Sequence, residues 1–204
     1  PPARKSSAPT PPEPIKELEN SIMSRVPALK PEDMSDAQRT IHDAIVNGPR
    51  GRVEGPLKIW LHSPALADKA QQLGQFARYD STLEPRLSEL AIMVTGRFWG
   101  AQFEWSVHKP FALKAGISEA VLDAIRDRRT PPFEKTDERV VFDVSRALHE
   151  THKIGDALYA EAVEVLGQQQ LIDLVGLLGY YTLISMTINA FEVPLEGDQV
   201  AELD

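Results

Sequence analysis

The sequence predicts an all-α, single-domain fold of roughly eight helices. Three observations carry that expectation. Apolar residues recur at the i, i+3, i+4, i+7 spacing of a helix face, as Leu87, Leu90, Ala91, Val94 and Phe98 do. Helix-start and helix-stop signals punctuate the chain between such stretches. No segment shows strand-like alternation joined by hairpin turn chemistry. The 204 residues, 42% of them hydrophobic, are enough for one domain with a sizeable core.

The elements follow in order. Residues 1–14, "PPARKSSAPTPPEP", have almost no apolar side chains. Such a segment cannot bury enough surface to offset its ordering entropy, so it is expected as a flexible arm ahead of a helical domain over 15–204. "SDAQ" at 35–38 reads as a capping box, with the Ser35 hydroxyl accepting from the Gln38 N–H. The helix it opens runs to Asn47 and is stopped by Gly48-Pro49. "GPRGRVEGP" at 48–56 is a loop. The next helix has Ser63 as N-cap and Pro64 at its first position, where proline is favoured. Another begins near Pro85, and Gly100 separates it from the helix carrying "FEWSVH". Gly116 ends that helix and Ser118 starts the next. Thr136 is expected to cap "DERVVFDVSRALHETHK", with Asp137 and Glu138 set against the N-terminal dipole.

The last long helix is expected from about Gln168 to Phe191. Residues 174–191 carry no charge, which reaches the lower bound for a membrane span. The stretch also holds Tyr180, Tyr181, Thr182, Ser185, Thr187 and Asn189, and Asp173 and Glu192 flank it in place of basic anchors. A helix buried in a core or subunit interface is the expected reading.

Composition narrows the function classes. The formal net charge is −8, and no Lys/Arg cluster marks a nucleic-acid surface, so neither nucleic acid nor membrane is expected as a partner. There is no cysteine, which removes disulfides, thiolate nucleophiles and cysteine-ligated metals. His149 and His152 in "HETH" do not have the spacing of the H-E-x-x-H zinc signature. A surface helix end is the expected explanation, and no metal is assigned.

The chemistry concentrates in residues 86–111. Glu104 and His108 lie four apart, on one face of a helix. A carboxylate beside an imidazole raises its pKa and fixes its tautomer, which prepares a general acid or base. The same spacing also occurs on ordinary polar faces. Phe103, Trp105 and Phe111 argue that this helix is mostly buried, where a Glu or His must find a partner. Glu89 has Ile92 and Met93 as its i+3 and i+4 neighbours. Either Arg86 pairs with it, or it is a carboxyl with a raised pKa kept for proton transfer.

The run from "LHSPALADKAQQLGQFARYD" through "RLSELAI" and "EWSVH" to "NAFEVPL" resembles the carboxymuconolactone decarboxylase and alkylhydroperoxidase superfamily over about residues 25–195. The resemblance implies an all-α helical bundle that self-associates as trimers or hexamers, with sites near the interfaces. In the peroxidase branch a C-x-x-C-x-x-x-H pattern carries the redox pair. Those cysteine positions fall on Ala101 and Glu104 here, so disulfide-based peroxide reduction has no centre. The same branch's proton-relay glutamate and histidine fall on Glu89 and His108.

What remains is the decarboxylase-like branch. Its named reaction removes a carboxylate from an unsaturated lactone that carries its own electron sink, so no cofactor is expected. The catalytic residues expected are His108 as proton donor or oxyanion partner, Glu104 orienting and charging it, and Glu89 as a second acid/base. Substrate binding is expected from Arg50 and Arg52, in the loop where ligand contacts concentrate, and from His62 and Trp105. Arg86 and Arg97 are further candidates. His62 has an alternative as a loop histidine bonded to backbone. Tyr180, Tyr181 and Asn189 either line a pocket or make core hydrogen bonds. The partner expected is a small molecule. A non-catalytic oligomeric binding module is the competing class. The cytoplasm is the expected compartment, with export open if a leader has been removed.

Overall fold

The computed structural model describes residues 24–204, so the expected arm over 1–14 lies outside the described residues. Eight α-helices follow one another without a strand among the described residues. They are α1 (Asp36–Val46), α2 (Pro56–Trp60), α3 (Pro64–Gln75), α4 (Pro85–Trp99), α5 (Gln102–Ala115), α6 (Glu119–Arg126), α7 (Thr136–Thr151) and α8 (Asp156–Phe191).

Local chemistry sets most of the boundaries. The Ser35 capping box forms on both sides, with Ser35 N–H donating to Gln38 Oε1 at 2.8 Å. Pro56, Pro64 and Pro85 each open a helix at its first turn, where the missing N–H costs nothing. Gly100 and Gly116 close α4 and α5 in the left-handed conformation. Ser118 accepts from the Val121 N–H and starts α6. Ser63 sits at the N-cap of α3 without a side-chain cap bond.

Two expectations need correction. Thr136 is the first residue of α7, not its cap; Lys135 holds the cap position with no side-chain bond, and Asp137 Oδ1 accepts from the Glu138 N–H instead. On α4 the expected stripe of Leu87, Leu90, Ala91 and Val94 is buried, but Phe98 is not part of it. Every residue from Leu87 to Arg97 is buried, and Phe98 at its end is exposed. Within α8, Gly167 (φ 79°, ψ 159°) separates two helical halves. Its second half is the helix expected from about residue 168.

Helix α4 is the centre of the molecule and packs against α5, α7 and α8. Of the most apolar window of α8, 61% is buried in this packing. The remaining face leaves Ile172, Val175 and Met186 exposed. Helix α3 crosses α8 closely at Gly74, where an added Cβ would overlap the Tyr180 hydroxyl and the Arg50 guanidinium. Gly74→Ala should therefore destabilise the fold by about 1–3 kcal/mol through overpacking, read as a lower urea midpoint.

Beyond α3 the chain widens into a π-helical segment, Phe76–Asp80, before turning into α4. The extra residue per turn in such segments re-aims side chains, and they recur at functional sites. Here Arg78 sits in that segment. The following turn is anchored to α8 by Asp173, whose carboxylate accepts from Thr82 N–H at 2.8 Å and Thr82 Oγ1 at 2.7 Å.

Candidate active site

Helices α4 and α5 form a hairpin that brings Glu89 against His108. His108 Nδ1 lies 2.7 Å from Glu89 Oε2, and His108 Nε2 lies 2.9 Å from Glu104 Oε1. All three side chains are buried, with His108 only 2% exposed. Burial by itself pushes the His108 pKa down, but Glu104 and then Glu89 outweigh it, and the net shift is upward. An imidazolium therefore bridges two carboxyl groups. Both ring nitrogens are engaged, which leaves the histidine no lone pair for a metal. No group of three or more ligating side chains is arranged to hold a metal ion among the described residues.

The trio borders a cavity of about 620 Å³ between α4, α5, α8 and the loop ahead of α2. That volume lies within the range of small-molecule sites. Arg50, Arg52 and Arg78 share it with Glu54, Glu89, Glu104 and His108, so with His108 protonated the lining carries one net positive charge. Phe103, Val107, Leu57 and Ile184 supply an apolar wall.

Each arginine is held differently. Arg50 Nη2 donates to the Tyr180 hydroxyl at 3.1 Å, and its Nε is enclosed without a partner. Arg52 pairs with Glu54 at 2.6 Å and its side chain is 68% exposed, which places it at the rim. Arg78 lies between the rings of Tyr79 and Phe111, its guanidinium carbon 5.5 and 5.2 Å from their centroids. It makes no hydrogen bond or ion pair to any described residue, so its donors are available to a ligand.

Tyr181 joins the trio from α8, its hydroxyl 3.5 Å from His108 Nε2 and its ring edge-on to the imidazole. Burial raises its pKa well above the usual phenol value, and Glu104 adds to the rise, so it stays a donor. Burial likewise pushes Tyr180 up to about 12.

The expected site residues thus divide. Glu89, Glu104, His108, Arg50 and Arg52 meet at one cavity. Trp105 does not line it; the indole is 1% exposed and its Nε1 faces Glu202 at 3.4 Å, under the C-terminal residues. His62 does not line it either, and bonds the Pro27 carbonyl at 2.9 Å. The backbone alternative for His62 is the one found. Arg86 is not the partner of Glu89. It pairs with Asp137 and Glu138 of α7 at 2.6 and 2.7 Å, which frees Glu89 for His108. Arg97 points to Asp204 and the Arg126 carbonyl, outside the cavity. Phe111, expected in the core, is 42% exposed at the cavity mouth beneath Arg78. Arg78 itself is the residue that sequence reasoning missed. A lone arginine in a polar helix end gives no signal until the π-helical turn aims it.

Residues 64–147 match the family described as the carboxymuconolactone decarboxylase family. The matched span runs from α3 to α7 and holds Arg78, Glu89, Glu104 and His108. Over that span the chain resembles the carboxymuconolactone decarboxylase family. Solved structures agree at the level of the fold. A peroxidase-related protein with an alkylhydroperoxidase AhpD core from Ralstonia eutropha JMP134 superposes with a TM-score of 0.69 at 12% identity, over 86% of this chain and 93% of that one. A peroxidase-related protein from Silicibacter sp. TM1040 gives 0.69 at 12% identity, over 92% and 97%. The debrominase Bmp8, in complex with 2,3,4-tribromopyrrole, gives 0.68 at 14% identity, over 87% and 95%. Identities this low speak for architecture, not reaction. Curated protein sequences give no match.

The bridging imidazolium makes stability depend on pH with a definite sign. The folded-state pKa of His108 lies above its ordinary value of 6.5. Its contribution is then full below that ordinary value and is lost as pH rises through the raised one. The urea midpoint of the wild type should fall on the alkaline side relative to pH 6, and His108→Gln should flatten that part of the profile.

Proposed function

We propose that this protein is a cofactor-free acid–base enzyme that decarboxylates or isomerises a small unsaturated lactone or carbonyl acid. The observation that carries this reading is the buried Glu89–His108–Glu104 relay opening on a cavity that also holds an unpaired arginine. A proton store, a cation for a developing oxyanion and an apolar wall are the parts such chemistry requires.

The single net positive charge of the lining favours a monoanion. In the decarboxylation the carbon–carboxylate bond breaks, CO₂ leaves, and the electron pair passes through the conjugated system to the carbonyl oxygen. Arg78 and the Tyr181 hydroxyl receive that oxygen. The charge thus moves towards a cation during the step, which stabilises the transition state more than the bound substrate. The leaving carboxylate lies against Phe103, Val107 and Ile184, where poor solvation favours neutral CO₂. The His108 imidazolium then passes a proton to the Glu104 carboxylate, which hands it on to carbon, and water reprotonates His108. Glu89 holds the imidazole in place from the other side. Both ring nitrogens of His108 are occupied, so the acid that reaches substrate in this scheme is Glu104, with His108 behind it.

Self-association as a trimer or hexamer is part of the same proposal, and the exposed apolar residues of α8 offer a surface for it. The test is a panel of unsaturated lactones and β-keto or vinylogous acids, followed by CO₂ release and ultraviolet absorbance. Turnover by the wild type that Arg78→Ala loses, mainly as a rise in KM with a fall in kcat, supports the reading. Saturable binding across the panel without turnover would instead support the binding-module alternative.

A further inference from the structure

A second cleft lies on another side of α4, between α4, α6 and α7, with a volume of about 320 Å³. It shares no lining residue with the acid–base cavity. Arg97, Arg128, Arg129 and Arg146 line it, against Glu150 as the acidic lining residue. That concentration of cations is unusual in a protein of net charge −8.

The arginines are incompletely used. Arg97 is 5% exposed, and its Nη1 is enclosed without a hydrogen-bond partner, a costly arrangement for a buried charge. Its Nη2 already holds a carboxylate, that of Asp204. The Arg128 guanidinium makes no hydrogen bond or ion pair to any described residue. Arg146 lies over the Phe142 ring at 5.6 Å and is 4.0 Å from Glu150.

The floor is apolar. Val94, Ile125 and Phe142 are 6%, 4% and 8% exposed. Phe98 stands 44% exposed at the side, stacked on His149 with centroids 4.8 Å apart and planes at 15°. The Thr95 hydroxyl donates to the Ala91 carbonyl, so it accepts from His149 Nε2–H at 3.0 Å. The imidazole is thus pinned as a flat face, and burial keeps it neutral by lowering its pKa. His149 is therefore part of a cleft, not a plain surface helix end.

We propose that this cleft is a second ligand site, which takes a small aromatic monocarboxylate with its ring against Phe98 and Phe142 and its carboxylate among Arg97, Arg128 and Arg146. A bare inorganic anion would strip water from the apolar floor and gain nothing there, whereas an aromatic acid uses both halves of the cleft.

The two cavities each contain one histidine, which separates them experimentally. In protein labelled with ¹³C-histidine, the His149 ring reports this cleft and the His108 ring reports the acid–base cavity. Titration with 4-fluorobenzoate should shift the His149 signal saturably, whether or not His108 responds. Arg128→Asn with Arg146→Gln should weaken that response by at least about tenfold, the effect of losing even one of the two charge-assisted contacts. Both residues are exposed, and asparagine tolerates the left-handed backbone at 128 (φ 55°), so folding should be kept. The proposal is overturned if 4-fluorobenzyl alcohol or inorganic phosphate shifts His149 as strongly, if the double variant binds unchanged, or if His149 does not respond at all. None of these outcomes depends on turnover in the first cavity.

Discussion

Replacing His108 with leucine should destabilise the protein by about 3–5 kcal/mol, the cost of breaking a buried charge cluster by removing its cation. Glu89 and Glu104 would then face each other at 8% and 4% exposure with no counter-charge between them. Like charges in a dry site cannot both stay ionised, so one carboxyl would have to bind a proton on folding. The loss should therefore shrink as pH falls. It should also shrink when Glu89→Gln and Glu104→Gln are added to His108→Leu, because the neutral trio no longer needs a cation. Urea unfolding of the three proteins at pH 7 decides this. A His108→Leu protein within about 1 kcal/mol of wild type, the scale of an exposed pair, would sink the account of a buried relay.

The second large effect concerns the proposed reaction. Glu104→Gln keeps the shape of the side chain and removes its ability to carry a proton. On any substrate that the wild type turns over, kcat should fall about 10²–10⁴-fold, with KM changed far less. Circular dichroism and the unfolding midpoint establish that the variant is folded. If Glu104→Gln keeps most of the activity while Glu89→Gln loses it, the direction of proton delivery proposed here is reversed. Neither result bears on the second cleft, whose residues are disjoint from the relay.

The fold was legible because its signals are local. Ser35 with Gln38, Pro64 and Pro85 at their helix starts, and Gly100 and Gly116 act within a few residues of their own position. Where a boundary depended on a distant partner, the reading failed. Thr136 looks like a cap for α7, but the first turn of that helix is organised by Arg86 of α4, which claims Asp137 and Glu138.

The site was partly legible for the same reason. Glu104 and His108 are paired by helix spacing alone, and an acidic residue among apolar neighbours marked Glu89 as unusual. Trp105, one position from Glu104, was a natural choice for the pocket. The rotation of α5 that turns Glu104 and His108 towards α4 turns Trp105 to the side covered by the C-terminal residues. His62 sits just before a helix start, and loop histidines there can turn either way; the Pro27 carbonyl takes this one.

By itself the sequence determined the helical class, most helix ends, the lack of cysteine and the pairing of Glu104 with His108 on α5. All of these follow from neighbours along the chain or from composition. Only the tertiary structure decided that Arg86 leaves Glu89 to His108, that a π-helical turn carries Arg78 to the cavity, and that Tyr181 completes the site from a helix 73 residues beyond His108. Those choices are competitions for partners between segments far apart in the chain. The winner depends on which helices pack against α4, and packing is not written in any one segment.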